Sequence, residues 1–141
     1  MSTLEDAIVI AAQAHAGQRD KAGEPYILHP LRVLLRVGTA SERMAAVLHD
    51  VVEDSAISLA DLAAAGFAPE VVAAVEALTK RPGETRLEAA RRAAAHPVAR
   101  VVKLADNAEN LDLSRIANPT PRDFQRAEEY RAVRAILLAG D

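Results

Sequence analysis

Thirty-one of the 141 residues are alanine, while aromatic residues number only two Phe and two Tyr, with no Trp. Alanine is the strongest helix former and aromatics favour strands, so the chain is predicted to be all-α. Its apolar bulk must come from 15 Leu, 13 Val and 6 Ile, enough at this length for one core without covalent staples. The absence of Cys excludes disulfide frameworks, thiolate nucleophiles and cysteine zinc sites. A net charge of −3 with so few aromatics leaves little for a phosphate-tracking or base-stacking nucleic-acid surface. No apolar run approaches the roughly 18–20 residues needed to cross a bilayer. The opening Met-Ser-Thr-Leu-Glu-Asp lacks the basic segment of a secretory signal. The expectation is a single cytoplasmic helical domain over residues 1–141, partnered by neither membrane nor nucleic acid.

Capping residues, Gly and Pro divide the chain into about eight short helices. Ser2 with Glu5 predicts a first helix ending at Gly17, followed by a Gly- and Pro-bearing loop over 17–28. Pro30 suits the first turn of a second helix, with His29 as its cap and Gly38 at its end. A third is predicted from Ser41 to about Asp54, a fourth from Ser58 to Gly66, and a fifth from Pro69 to Thr79. Thr85 with Glu88 opens a sixth that stops near His96-Pro97, and Val98 to Leu113 forms a seventh. Thr120 caps the last, which reaches about Ala139.

Polar residues interrupt the apolar pattern at three places. The segment Leu48-His49-Asp50-Val51-Val52-Glu53-Asp54 holds four ionisable groups within two helical turns, with His49/Glu53 and Asp50/Asp54 at i, i+4. Three carboxylates so close are costly unless a cation or solvent relieves them. Asp106 follows the apolar Val101-Val102 stretch and has Asn110 one turn later on its own face. His29 precedes Pro30, which disfavours helical backbone at that residue and projects the imidazole from the helix start. Singly, these features also suit a solvated helix end, a surface Asp paired with Lys103, and a structural cap. Together, His29, His49, Asp50 and Asp106 make a mixed nitrogen and oxygen set that suits Mn²⁺, Fe²⁺ or Zn²⁺ with positions left for water. The gaps between them are long, and spacing by itself leaves their grouping open.

Four ordered motifs carry a resemblance over nearly the whole chain. They are Ala14-His15-x-Gly17-Gln18, Gly23-Glu24-Pro25-Tyr26-Ile27-x-His29-Pro30, the segment Leu48 to Asp54, and Val102-Lys103-Leu104-Ala105-Asp106-x-x-x-Asn110-Leu111. In these the chain resembles the HD superfamily of metal-dependent phosphohydrolases, specifically the hydrolase domain of RelA/SpoT-type alarmone enzymes. The resemblance implies a helical HD bundle with Mn²⁺, or another divalent transition metal, on His29, His49, Asp50 and Asp106. Glu53 and Asp54 would then position and deprotonate the attacking water and manage the leaving group. The implied reaction removes pyrophosphate from the 3′ position of guanosine tetra- or pentaphosphate, a small nucleotide partner. Lys21 matches a position facing the substrate phosphates, and Tyr26 and Asn110 match further pocket positions. His15 falls outside the direct metal ligands, and His96 matches only a helix end. With no synthetase segment following, the chain resembles a small stand-alone alarmone hydrolase.

The departures fall on substrate recognition. Where the family has an Arg that stacks on guanine, immediately before the Lys, this chain has Asp20, and Ala22 stands in place of a Ser. Beyond Asp106, Asn107, Glu109, Asp112 and Leu113 replace an Arg, His, Arg and Thr. An Asp there removes a cation and adds a charge that repels phosphate; Arg19 compensates only if the loop shifts register. Two rival readings accompany the alarmone hydrolase: hydrolysis of another nucleotide phosphate ester, and a catalytically silent nucleotide-binding domain.

Overall fold

Reciprocal side-chain caps decide where most of the helices begin. The computed structural model describes residues 1–139. Among them run nine α-helices: α1 (Leu4–Ala14), α2 (Leu28–Leu35), α3 (Ala40–Leu48), α4 (Val51–Asp54), α5 (Leu59–Ala64), α6 (Pro69–Leu78), α7 (Arg86–Ala94), α8 (Pro97–Leu111) and α9 (Pro121–Ala139). A 3-10 turn, Leu113–Arg115, precedes α9, and the described residues contain no strand beyond a single bridge between Arg19 and Pro25. The all-α expectation holds.

Thr3, Thr39, Ser58 and Thr85 each accept a hydrogen bond from the backbone N–H three residues on, and Asp6, Glu42, Asp61 and Glu88 accept from the cap N–H in return. Thr120 and Asp123 make the same exchange at α9. Thr3–Asp6 thus replaces the predicted Ser2–Glu5 cap, and Thr39–Glu42 starts α3 ahead of Ser41. Ser2 is drawn away because its hydroxyl and N–H donate to the carbonyls of Ala65 and Gly66, at 2.5 and 3.0 Å. These carbonyls at the end of α5 have no partner within the helix. Gly66 takes a φ of +98° to turn the chain there, a conformation that side chains resist.

Two differences from the predicted elements bear on function. The helix expected from Ser41 to Asp54 breaks after Leu48, and α4 resumes at Val51. At the break, the ring Nδ1–H of His49 donates to the Ala46 carbonyl at 2.5 Å, competing with the backbone N–H of the same residue, which reaches it only at 3.5 Å. His29 is not the cap of α2 but its second residue, after Leu28, with Ile27 as the cap. Pro30 is accommodated because first-turn N–H groups have no partner within a helix.

The core forms around α3, which packs against α1, α2, α6 and α8. Ala11, Ala45, Ala46 and Ala74 are wholly buried beside Val33, Val47, Leu48, Val75 and Val102. The small side chains let the helices approach closely, which is how a chain with so few aromatics fills its interior. A second cluster, Ala90 with Val133 and Leu137, joins α7 to α9. No helix of the described residues is long and apolar enough to cross a membrane. Ala46→Leu drives a larger side chain into the close contacts of α3 and is expected to lower stability by about 1–3 kcal/mol. The drop would appear as a lower urea midpoint, and an unchanged midpoint would contradict this close-packing account.

Candidate metal centre and active site

Three helices deliver side chains to one buried point. His29 comes from the first turn of α2, His49 and Asp50 from the break between α3 and α4, and Asp106 from the middle of α8. Ligand-type atoms of His29, His49 and Asp106 lie within 4.8 Å of one another, and all three residues are buried. Asp106 Oδ1 is 2.8 Å from His29 Nε2 and 3.4 Å from His49 Nε2, and Asp50 Oδ2 is 3.1 Å from the latter. Lys103, one turn before Asp106, donates to its Oδ2 at 3.0 Å, and Asn110, one turn after, donates to Oδ1 at 3.3 Å. The Lys103–Asp106 pair therefore exists, but with Asp106 only 4% exposed it is no surface pair.

The electrostatics follow from this crowding. Burial disfavours charge on Asp106, yet Lys103 and the two imidazoles hold its carboxyl well below the usual range. Burial likewise opposes a charged His49, but Asp50 and Asp106 push its imidazole well above its ordinary value. Asp50 is kept low by His49 and Tyr26 in spite of its burial. The Tyr26 hydroxyl donates to Asp50 Oδ2, and burial and that carboxylate raise the phenol, which stays neutral.

These residues fit a divalent cation. The Nδ1–H of His49 is committed to the Ala46 carbonyl, a bond that fixes the ring and turns Nε2 toward Asp50 and Asp106, so that on losing its proton this nitrogen offers its lone pair to a cation. That buried Nε2 makes no well-aligned hydrogen bond of its own. A divalent cation held by His29, His49 and Asp106, with Asp50 beside them, would satisfy that nitrogen and offset both carboxylates, through a donor set of imidazole and carboxylate.

Glu53 lines the cavity of about 290 Å³ that opens onto this cluster, together with Lys80, Arg86 and Lys103. Its carboxylate accepts from the Lys80 backbone N–H. Burial raises the Glu53 carboxyl above its ordinary value, against the lowering effect of that N–H. Asp54 is raised too, by burial and by Asp50, but lies outside the cavity lining; Gln18 holds its carbonyl at 3.1 Å. The same Gln18 side chain meets His15 Nδ1 at 2.8 Å, and the His15 ring packs 4.9 Å from that of Tyr26. His15 thus braces Tyr26 and stands apart from the cluster. His96 caps α8, its Nδ1 accepting from the Ala99 N–H.

A second cavity, of about 280 Å³, meets the first at Tyr26, His29, Asn110 and Tyr130. Lys21 stands in its lining, largely exposed, 4.0 Å from Asp123. Asp20 also lines it, but its Oδ1 accepts from the Ala22 and Glu24 N–H groups and its Oδ2 from Arg115 at 3.3 Å. Other departures noted in the sequence act as ties. Asn107 donates to the Tyr130 carbonyl at 2.8 Å, Glu109 accepts from Arg36 at 2.8 Å, and Asp112 accepts from the N–H and hydroxyl of Ser114. Ala22 and Leu113 line the second cavity.

Sequence reasoning did not find Lys80, Arg86, Arg115, Arg126 or Tyr130. Each resembles an ordinary surface position along its own helix or turn, and only the packing of α7, α8 and α9 brings them to the cavities. The Arg86 guanidinium lies over the Tyr130 ring, 5.1 Å from its centre, a contact between helices with no local signature.

Comparison with known proteins finds relatives over nearly the whole chain. The chain is 38% identical over 151 residues to the guanosine-3′,5′-bis(diphosphate) 3′-pyrophosphohydrolase MESH1 of Mus musculus, covering 97% of this chain and 83% of that protein. It is 33% identical over 150 residues to a probable GTP pyrophosphokinase of Mycobacterium leprae, covering 97% of this chain but 19% of that protein. The chain thus spans less than a fifth of the pyrophosphokinases it matches. A solved structure described as a metazoan ortholog of SpoT that hydrolyzes ppGpp superposes with a TM-score of 0.84 at 28% identity, over 100% of this chain and 88% of that one. The HD domain family model matches residues 7–133, and the chain belongs to the HD domain family.

Proposed function

We propose that this protein is a manganese-dependent hydrolase that removes pyrophosphate from the 3′ position of guanosine 3′,5′-bis(diphosphate). One observation carries the reading: the buried His29, His49 and Asp106 cluster opens onto a cavity lined by Glu53 together with Lys80, Arg86 and Lys103. A set of ligands, a carboxylate base and a cationic wall are the parts that phosphoryl hydrolysis requires. The relatives named for this reaction support the choice of substrate, since the chain covers 78% and 83% of their length.

In this reading His29, His49, Asp50 and Asp106 hold the ion. When bound, the ion supplies acidification of water and neutralisation of phosphoryl charge. Glu53 takes the proton of the attacking water; its raised carboxyl makes it a stronger base than a solvated glutamate, and the Lys80 N–H orients it. The water oxygen bonds to the phosphorus attached at the ribose 3′ oxygen, that phosphorus–oxygen bond breaks, and the 3′ oxygen gains a proton. Asp54, also raised, is the neighbouring group that manages this proton. Lys80, Arg86 and Lys103 offset the charge of the departing pyrophosphate. Tyr26 and Asn110 border the substrate while orienting Asp50 and Asp106, and Lys21 meets phosphate at the mouth of the second cavity.

The Mn²⁺-loaded protein is expected to convert guanosine 3′,5′-bis(diphosphate) into guanosine diphosphate and pyrophosphate. Glu53→Gln should lower kcat by about 100- to 10,000-fold with the metal retained. Turnover of other nucleotides but not this one would remove the substrate assignment, and no turnover of any nucleotide by metal-loaded protein would sink the hydrolase reading.

Metal uptake should depend on pH with a definite sign. The His49 imidazole, raised by Asp50 and Asp106, must lose its proton to ligate, so Mn²⁺ affinity rises as pH rises. Where one proton is displaced per ion, calorimetry should find roughly a tenfold gain per pH unit, and buffers of different ionisation enthalpy should report the released proton. Affinity that is flat across pH 5 to 8 would contradict His49 as a ligand.

A further inference from the structure

We infer that Arg115, held in place by Asp20, reads the nucleobase and gives the site its preference for guanine. This rests on the hydrolase reading above and concerns the opposite end of the substrate from the reacting phosphate.

The two cavities differ in chemistry where they part from Tyr26, His29, Asn110 and Tyr130. The one bearing Glu53 is walled by Lys80, Arg86 and Lys103 and suits the pyrophosphoryl group. The other carries Ala22, Leu113 and Ile116 beside Arg115, apolar surface set among charged residues of both signs that include Arg19, Lys21, Asp112 and Arg126. A nucleotide whose reacting phosphorus lies at the shared residues therefore directs its nucleoside into the second cavity.

Arg115 is set up to read it. Its side chain is 28% exposed, and Nη1 donates to Asp20 Oδ2 at 3.3 Å, a contact between the 3-10 turn and the loop after α1. Its Nε is buried with no hydrogen-bond partner, and Nη1 carries the bond to Asp20, so the outer N–H groups of the guanidinium are the donors left for a ligand. Asp20 is itself locked by the Ala22 and Glu24 N–H groups, at 2.9 and 3.0 Å, which makes it a fixed anchor for the arginine. The pair is neutral in sum, so Asp20 does not repel phosphate as an isolated carboxylate does. A guanidinium donates well to the O6 and N7 acceptors of guanine, whereas adenine presents an amino donor in place of O6.

The test compares wild type, Arg115→Ala, Arg115→Lys and Asp20→Asn, with thermal melts checking that each folds. Two readouts are taken: kcat and KM for the 3′,5′-bis(diphosphates) of guanosine and adenosine, and calorimetric binding of guanosine and adenosine diphosphates, which needs no turnover. Arg115→Ala is expected to raise KM for the guanosine substrate about tenfold with kcat within about twofold, leaving the adenosine substrate unaffected. Arg115→Lys, which keeps the charge but loses the fork, should lose the same discrimination, and it decides the question if the alanine variant does not fold. Asp20→Asn should fall between, because the arginine keeps a weaker anchor. An unchanged ratio of guanosine to adenosine kcat/KM in the Arg115 variants overturns the inference and leaves the hydrolase reading standing. If wild type turns over neither substrate, the hydrolase reading fails and binding decides. Guanosine diphosphate bound more tightly than adenosine diphosphate, with the difference lost in the Arg115 variants, upholds the inference; equal or no binding of the two overturns it.

Discussion

The buried carboxylate of Asp106 is the charge around which the other helices are arranged. A carboxylate removed from water is stable only if several partners compensate it, and partial compensation leaves a large penalty. Lys103 and Asn110 are supplied by its own helix, but His29 and His49 must arrive from α2 and from the end of α3. This requirement accounts for the proximity of α2, α3 and α8. It also gives meaning to the break after Leu48. Had α3 continued unbroken to Asp54, His49 and Asp50 would lie about 100° apart on one helix, without the freedom of the junction to turn both toward Asp106.

What could be read in the sequence depended on how local its cause was. The helical class was legible because alanine content and cap spacing act within a few residues, as Ser58/Asp61 and Thr85/Glu88 illustrate. The shifts at Ser2 and Ser41 arose where neighbours competed for the same role, and for Ser2 a distant carbonyl decided the outcome. The residue types of the centre were legible as polar interruptions of apolar stretches. Their convergence was not, since His29 and Asp106 meet across 77 positions of sequence. Arg86 and Tyr130 had no signal at all, because their relation exists only once α7 and α9 pack together.

Residues that differ from the resembled family divide into two kinds. Asn107, outside both cavity linings, ties α8 to α9 and so stabilises the walls of the site from behind. Asp20, Ala22, Glu109, Asp112 and Leu113 border the second cavity itself, Glu109 while accepting from Arg36 of the segment after α2. A change of the first kind alters how helices are held, and one of the second alters what the cavity accepts. The metal-side residues belong to neither group, which is why the reaction class and the base preference rest on different parts of the molecule.

The Glu53 carboxylate depends on a clamp that its own helix does not provide. Its orienting donor, the Lys80 N–H, sits in the turn between α6 and α7, a segment that would otherwise move freely. Arg92 fixes that turn by donating to the Glu76 and Thr79 carbonyls, at 3.2 and 2.7 Å, and to both oxygens of Glu84 at 2.8 Å. The Arg92 hydrogen bonds hold Glu84 down to about 2, whereas burial moves Glu53 upward from 4.5. The clamp therefore stays ionised through the whole range in which Glu53 gains or loses its proton. A base that must change charge during the reaction is thus oriented by a donor whose own support does not change with it.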